Sequence, residues 1–288
     1  GGCGAKVGAD VLSQALQDLH PLSHDDIIAG LSAPDDAAIV RAPAGKAMVH
    51  TVDTFRAFVE DPYIFGKIAA NHALSDIFAM GAEPRTALAI ATLPFGAPVI
   101  TASDLHHMMA GAVDVLNSAG ASLVGGHSAE GAELTLGFAI NGVIDEARIL
   151  RKGGLRPGDA IILTKPLGTG ALFAADMQYR ARSHWIAAAL QSMLQSNGPA
   201  ARILLDANAN ACTDITGFGL AGHLGELAQA SNVSIILQGE TLPVLEGAHE
   251  VMREGIFSSL HGQNEANALR YFDPTQHSGA RRYPVLFD

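Results

Sequence analysis

Hydrophobic and polar positions change period several times along the chain. In residues 8–19, GADVLSQALQDL, Leu12, Ala15, Leu16 and Leu19 recur at helical spacing before HPLSHDD interrupts the stripe. The period then falls to two. AAIVRAP and KAMVHTVDTF read as the strands of a hairpin about Gly45, and alternation in the second puts Val49, Thr51 and Asp53 on one face. Asp36 and Asp53 are expected at strand ends. EDPYIFGKIAANHALSDIFAMGA predicts a helix capped by Asp61, with Pro62 at its first position and Gly81 closing it. Phe65, Ala69, His72 and Asp76 share one stripe of that helix, so a carboxylate lies on or beside a largely apolar face.

RTALAIATLP predicts a strand, SDLHHMMAGAVDVLNSAG a helix, and ASLVGGHS and LTLGFAINGVI two further strands. The first half is therefore mixed α and β. DEARILRKGGLRPGD, charged and glycine-rich, is the expected domain junction, because a fresh apolar strand, AIILTKPLG, follows it. A second α/β half runs on through DITGFGLAGHLGELAQASN. Beyond about Glu254 the periodicity fades, and YPVLFD reads as the start of another strand.

Composition narrows the function classes. With 48% hydrophobic and 16% charged residues the chain is too apolar for disorder, and it holds no apolar run of about 18 residues to span a bilayer. No basic segment leading into an apolar one marks a secretory leader, and the expected compartment is the cytoplasm. Cys3 and Cys212 are too few for a disulfide framework. A net charge of -11 with only 18 Lys and Arg argues against a nucleic-acid partner; a polyanionic small ligand would need metal ions.

Acidic residues stand out in PDDAA (Asp35, Asp36), TVD (Asp53), LSD (Asp76) and CTDITGFG (Asp214). Singly, each serves equally well as a turn former or cap. Gathered together, they would repel one another unless hard cations lay between them, as Mg²⁺ does beside nucleotide phosphates. LVGGHS reads as a strand running into paired glycines, either an ordinary tight turn or one whose N–H groups receive a phosphate. GFGLAG (Gly217, Gly219, Gly222) fits the dinucleotide fingerprint, but the preceding NANACTDIT is polar where a buried strand is needed, so close helix packing explains these glycines better. The opening GGCGAK places Cys3 near Lys6, whose charge would favour a thiolate if the segment folded over a site; a frayed terminus is the alternative.

Together GCGAK, PDDAAIV, TVDTF, NHALSDIFAMGA, LVGGHS, KPLGTGAL and ACTDITGFGLAGHLGE resemble, in order, the motifs of the selenophosphate synthetases (selenide, water dikinases), within the AIR-synthetase-like (PurM-like) ATP-binding superfamily. The resemblance implies a two-domain fold: an N-terminal mixed sheet with helices that pairs into a dimer barrel, and a C-terminal α/β sandwich. The corresponding organisation is a flexible lid and helix over 1–33, an ATP- and metal-binding domain over 34–150, and a C-terminal domain over 151–288 that is incomplete. It implies that Cys3 and Lys6 are catalytic, and that ATP is lined by Lys6, Ala33, Pro34, Asp35, Asp53, Asp76, Gly125, Gly126 and His127. Mg²⁺ would be held by Asp36, Asp53, Asp76 and Asp214, with K⁺ as a further expected cation. ATP, hydrogen selenide and water would give selenophosphate, AMP and orthophosphate. The expected partners are a second copy of the chain and a redox or selenium-carrier protein, fused or delivering selenide, with no nucleic acid and no membrane. Ala5 stands where some members carry a second cysteine, and His72 lies near a position that is Asn in others. Two competing expectations are another superfamily kinase, such as a thiamine-monophosphate kinase, and a nucleotide-binding dimer without turnover.

Overall fold

A four-stranded mixed sheet with two long helices on one face forms the frame of the first half. The computed structural model describes residues 9–29, 31, 39–41 and 43–288. In chain order the first elements are α1 (Ala9–Leu16), β1 (Ile27–Ala29), β2 (Ile39–Val40), β3 (Ala47–Arg56), α2 (Pro62–Ala79), β4 (Glu83–Pro94), α3 (Pro98–Ser118), β5 (Ser122–Gly131) and β6 (Thr135–Ile144). The sheet order is β3-β6-β4-β5. β6 pairs antiparallel with both β3 and β4, whereas β4 and β5 run parallel. A parallel pair needs a crossover, and α3 supplies it.

Among the described residues β1 and β2 pair with each other and with no other strand. The expected hairpin about Gly45 is thus corrected: Gly45 does turn the chain, at φ +74°, but β2 goes to β1 and β3 goes to β6. Short range alone suggested the hairpin, and the ten-residue ladder between β3 and β6 outweighs it.

α2 begins as its sequence dictates. The Asp61 carboxylate accepts hydrogen bonds from the amides of Tyr63 (2.9 Å) and Ile64 (3.0 Å), Pro62 needs no amide partner, and Gly81 ends the turn at φ +75°. Apolar residues surround α2 because it packs against the sheet and, alongside, against α3. Where α2 meets α3, each contributes a glycine: a Cβ on Gly66 would stand 2.0 Å from the Met108 carbonyl oxygen, and one on Gly111 would stand 2.1 Å from that of Tyr63. Phe65, Leu74, Phe138 and Ile140 are fully enclosed between these layers. Each such side chain contributes about 1.5–3 kcal/mol relative to exposure.

The chain divides into two units, residues 1–149 with 196–205, and residues 150–195 with 206–288. Although it follows the junction in sequence, the segment 196–205 packs with the first unit. There Asn197 donates to the Ser75 hydroxyl at 2.8 Å, Gly198 lies against the Phe78 ring, and Ala201 joins the core.

The second unit contains α4 (Thr169–Asp176), α5 (Ser183–Leu194), α7 (Gly219–Ser231), α8 (Ala248–Arg253) and α9 (His261–Ala268), while α6 (Gly198–Asp206) carries the returning segment. Mixed α/β character holds for the chain. The strands expected in AIILTKPLG and YPVLFD do not form among the described residues, so of the expected C-terminal sandwich the second unit shows helices and one isolated bridge, Leu167 to Val244. A strand exists only where a ladder partner does. Ile162 and Ile236 accordingly stand 68% and 92% exposed, and Pro284–Phe287 closes into a buried 3-10 turn.

Candidate active site

Strand β3 alternates strictly, with Ala47, Val49, Thr51, Asp53 and Phe55 half-buried and the residues between them exposed. Two polar members of the half-buried set meet α2. Thr51 Oγ1 donates to Asp76 Oδ2 at 2.5 Å, and His72 Nε2 lies 3.9 Å from Asp53 Oδ2. The spacing explains why both rungs form. Two residues along a strand advance about 6.6 Å and four along a helix about 6 Å, so Thr51/Asp53 and Asp76/His72 stay in step. The Phe55 ring meets His72 edge-on at 5.3 Å and Phe65 edge-on at 5.7 Å, closing one side of the seam with apolar surface.

Asp53 therefore sits in mid-strand rather than at a strand end. Alternation identified its face correctly, but the ladder continues three residues beyond it to Arg56 opposite Thr135.

Gly125, Gly126 and His127 lie inside β5, opposite Leu88, Ala89 and Ile90. The turn expected at GGHS is corrected to extended strand with a bulge at Val124, since Ala87 opposes Leu123 and Leu88 opposes Gly125. Close backbone approach requires the glycine: a Cβ on Gly126 would stand 2.3 Å from the Ala89 carbonyl oxygen. Gly126 and His127 are exposed along this edge strand.

Asp214, in the second unit, is half-buried on an irregular stretch, 211–216, that leads into α7. Burial, reinforced by the Asp214 charge, pushes the Cys212 thiol up from its ordinary value and keeps it a neutral thiol. No strand precedes Gly217, which removes the dinucleotide fingerprint. Instead, Gly219 takes φ +76° with Leu286 and Phe287 backbone atoms against it, and Gly225 makes room for the Tyr271 ring. Cys3, Lys6, Ala33, Pro34, Asp35 and Asp36 lie outside the described residues.

Oxygen donors in the seam suit a hard cation. Mg²⁺ commonly takes one or two carboxylates and completes its shell with water and phosphate oxygens. Asp53 and Asp76 supply that donor class on one seam of the first unit, and Asp214 supplies it in the second. Among the described residues no three His, Cys, Asp or Glu gather closely enough to hold a metal unaided.

The AIR synthase related protein N-terminal domain matches residues 34–144, and the corresponding C-terminal domain matches 156–266. The selenide, water dikinase of Geobacter metallireducens is 37% identical over 288 residues, all of this chain and 83% of that protein. That of Nitratidesulfovibrio vulgaris is 40% identical, over 100% of this chain and 81% of the relative. The chain belongs to the selenide, water dikinase family.

Among solved structures, a thiamine-monophosphate kinase from Stenotrophomonas maltophilia superposes with a TM-score of 0.69 at 20% identity, covering 95% of this chain and 87% of its own. A hydrogenase maturation protein, HypE, solved in complex with ATP, gives 0.64 at 20% identity over 82% and 75%. At that identity these two speak for the fold alone. Sequence reading within the family motifs singled out Asp53, Asp76 and Asp214; the structure places the first two on one seam of the first unit and the third in the second. It missed Thr51 as the partner of Asp76, and it missed Asn197, His223 and Asn264. Thr51 was findable, being two residues before Asp53 on the same face.

Proposed function

We propose that the chain converts ATP, hydrogen selenide and water into selenophosphate, AMP and orthophosphate. One observation carries this reading: identity of 37–40% with selenide, water dikinases along the full length of the chain. The seam of Thr51, Asp53 and Asp76 adds a physical reason, because an acidic protein that takes a triphosphate must neutralise it locally. Mg²⁺, when bound, neutralises phosphate charge. Asp53, Asp76, Asp214 and Asp36 are the residues that would hold it, and Thr51 fixes the Asp76 carboxylate by donating to Oδ2. Ala33, Pro34, Asp35, Gly125, Gly126 and His127 would line ATP, by resemblance to the family. Cys3 and Lys6, on a glycine-rich segment, would close over the nucleotide and hold back water while selenide reacts. K⁺ is a further proposed cation.

The sheet face away from α2 and α3 presents Met48 and Val52, 40% and 61% exposed, beside Leu88 and Ile90. Apolar surface of that kind suits a second copy, and a homodimer is the proposed assembly. No helix among the described residues is long and apolar enough to cross a membrane. The cytoplasm, with a redox or carrier protein delivering selenide, is the proposed setting.

Nucleotide products test the reaction. Incubation with ATP and Mg²⁺ should yield AMP, orthophosphate and a selenophosphate ³¹P signal only when selenide is supplied. ADP formation would indicate a conventional kinase, and absence of any turnover a binding module; either result overturns the proposal. Cys3→Ser and Lys6→Ala should each abolish selenophosphate formation while leaving fold and assembly intact.

A further inference from the structure

The stretch that carries Asp214 has no helix or strand to hold it, and its backbone groups are instead engaged one by one. On the upstream side the Cys212 amide donates to the Arg151 carbonyl at 2.9 Å. Downstream, the Thr216 amide donates to His223 Nε2 at 3.2 Å, and the Thr216 hydroxyl lies 3.2 Å from the same nitrogen. One residue further, Asn264 Nδ2 donates to the Gly217 carbonyl at 2.8 Å and to the Phe287 carbonyl at 3.0 Å. His223 and Asn264 are 7% and 4% exposed and come from different helices, α7 and α9. Buried polar side chains are costly unless they satisfy partners, and here the partners are the main chain two and three residues past Asp214.

From this arrangement we infer that His223 and Asn264 are positioning residues, which together pin the backbone beyond Asp214 and so fix where its carboxylate can reach. The inference rests on the reading of Asp214 as a cation-holding residue. His223 acts as an acceptor at Nε2, so the ring is held with that nitrogen unprotonated, and Asn264 acts as a donor to two carbonyls. Residues that orient a ligand from behind typically change metal affinity by about 10–100-fold when removed.

Divalent-cation binding by the full chain tests this directly. Free Mn²⁺, standing in for Mg²⁺, is measured by electron paramagnetic resonance in the presence of a non-hydrolysable ATP analogue. Asn264→Ala and His223→Ala should each weaken Mn²⁺ binding about 10-fold, and His223→Gln, whose amide oxygen can accept from Thr216, should recover most of the loss. Asp214→Asn, run in parallel, should weaken binding at least as much. If Asp214→Asn is affected while Asn264→Ala and His223→Ala bind as wild type, the positioning role is overturned and the carboxylate role stands. If Asp214→Asn itself binds as wild type, the reading beneath it fails and takes the inference with it. Should Asn264→Ala not fold, the His223→Ala and His223→Gln pair decides: equal losses in both overturn the role.

Discussion

Thr51 and Asp76 are joined by a 2.5 Å hydrogen bond that crosses from a strand to a helix. Its donor is a hydroxyl with no charge, so the carboxylate is oriented without being neutralised. A salt bridge at the same place would compete with a cation, whereas a neutral donor leaves the carboxylate its charge. Asp76→Asn is therefore expected to lower turnover of ATP by at least about 100-fold, and Thr51→Val to raise the Mg²⁺ concentration for half-maximal rate by about 10-fold. Steady-state rates over a Mg²⁺ titration separate the two effects. An unchanged Mg²⁺ dependence in Thr51→Val removes the orienting role.

The Asp61 cap serves two amides of α2 and predicts a measurable loss. Asp61→Ala should destabilise the protein by about 1 kcal/mol, lowering the melting temperature by about 2–4 °C. Asp61→Ser should lie between the two, since serine also caps. Thermal unfolding followed by circular dichroism reads both.

Contact between α2 and α3 is backbone against backbone at Gly66 and Gly111. Gly66→Ala and Gly111→Ala should each cost upwards of about 1–3 kcal/mol, because no rotamer change moves a carbonyl out of the way. Gly222→Ala in α7, where a Cβ would meet nothing within 4 Å, is the control. It should hold or gain stability by up to about 1 kcal/mol. Denaturant midpoints rank the three, and equal losses would contradict the packing argument.

Asp26 and Arg85 supply a pH signature. Burial opposes ionisation of Asp26, but the Arg85 guanidinium, bonded to it at 2.6 Å, outweighs burial and holds the carboxyl below 3.8. A depressed carboxylate contributes stability above its unfolded value and loses it as pH falls through the lower folded value. Arg85→Met should thus be less stable than wild type by up to about 1 kcal/mol near neutrality. The gap should close as pH drops below 3.8. A gap that persists in acid would assign the loss to packing.

Much of the first unit could be read from the sequence because its signals are local. Asp61, Pro62 and Gly81 announce the ends of α2, and alternation in β3 sets Asp53 on the same face as Thr51. What local signals cannot give is partnership. β2 looks like half of a hairpin until β6 claims β3, and the glycines of LVGGHS look like a turn until Ala89 is seen pressed against Gly126. Apolar runs around Ile162 and Ile236 have the composition of strands but no ladder among the described residues. Asn264 gave no signal, lying 47 residues from the Gly217 carbonyl it holds. Asp214 was singled out because its surroundings in sequence, CTDITGFG, carry the family resemblance.

The excursion of residues 196–205 into the first unit has a practical corollary for anyone dissecting the protein. A gene fragment ending at Ile149 would express a domain stripped of Ala201 from its core and of Asn197 beside Ser75. Its exposed seam would invite aggregation and could be mistaken for an intrinsic instability of the first unit. Supplying the missing stretch as a peptide in trans, or splicing it to the fragment's end by a short linker, should restore solubility.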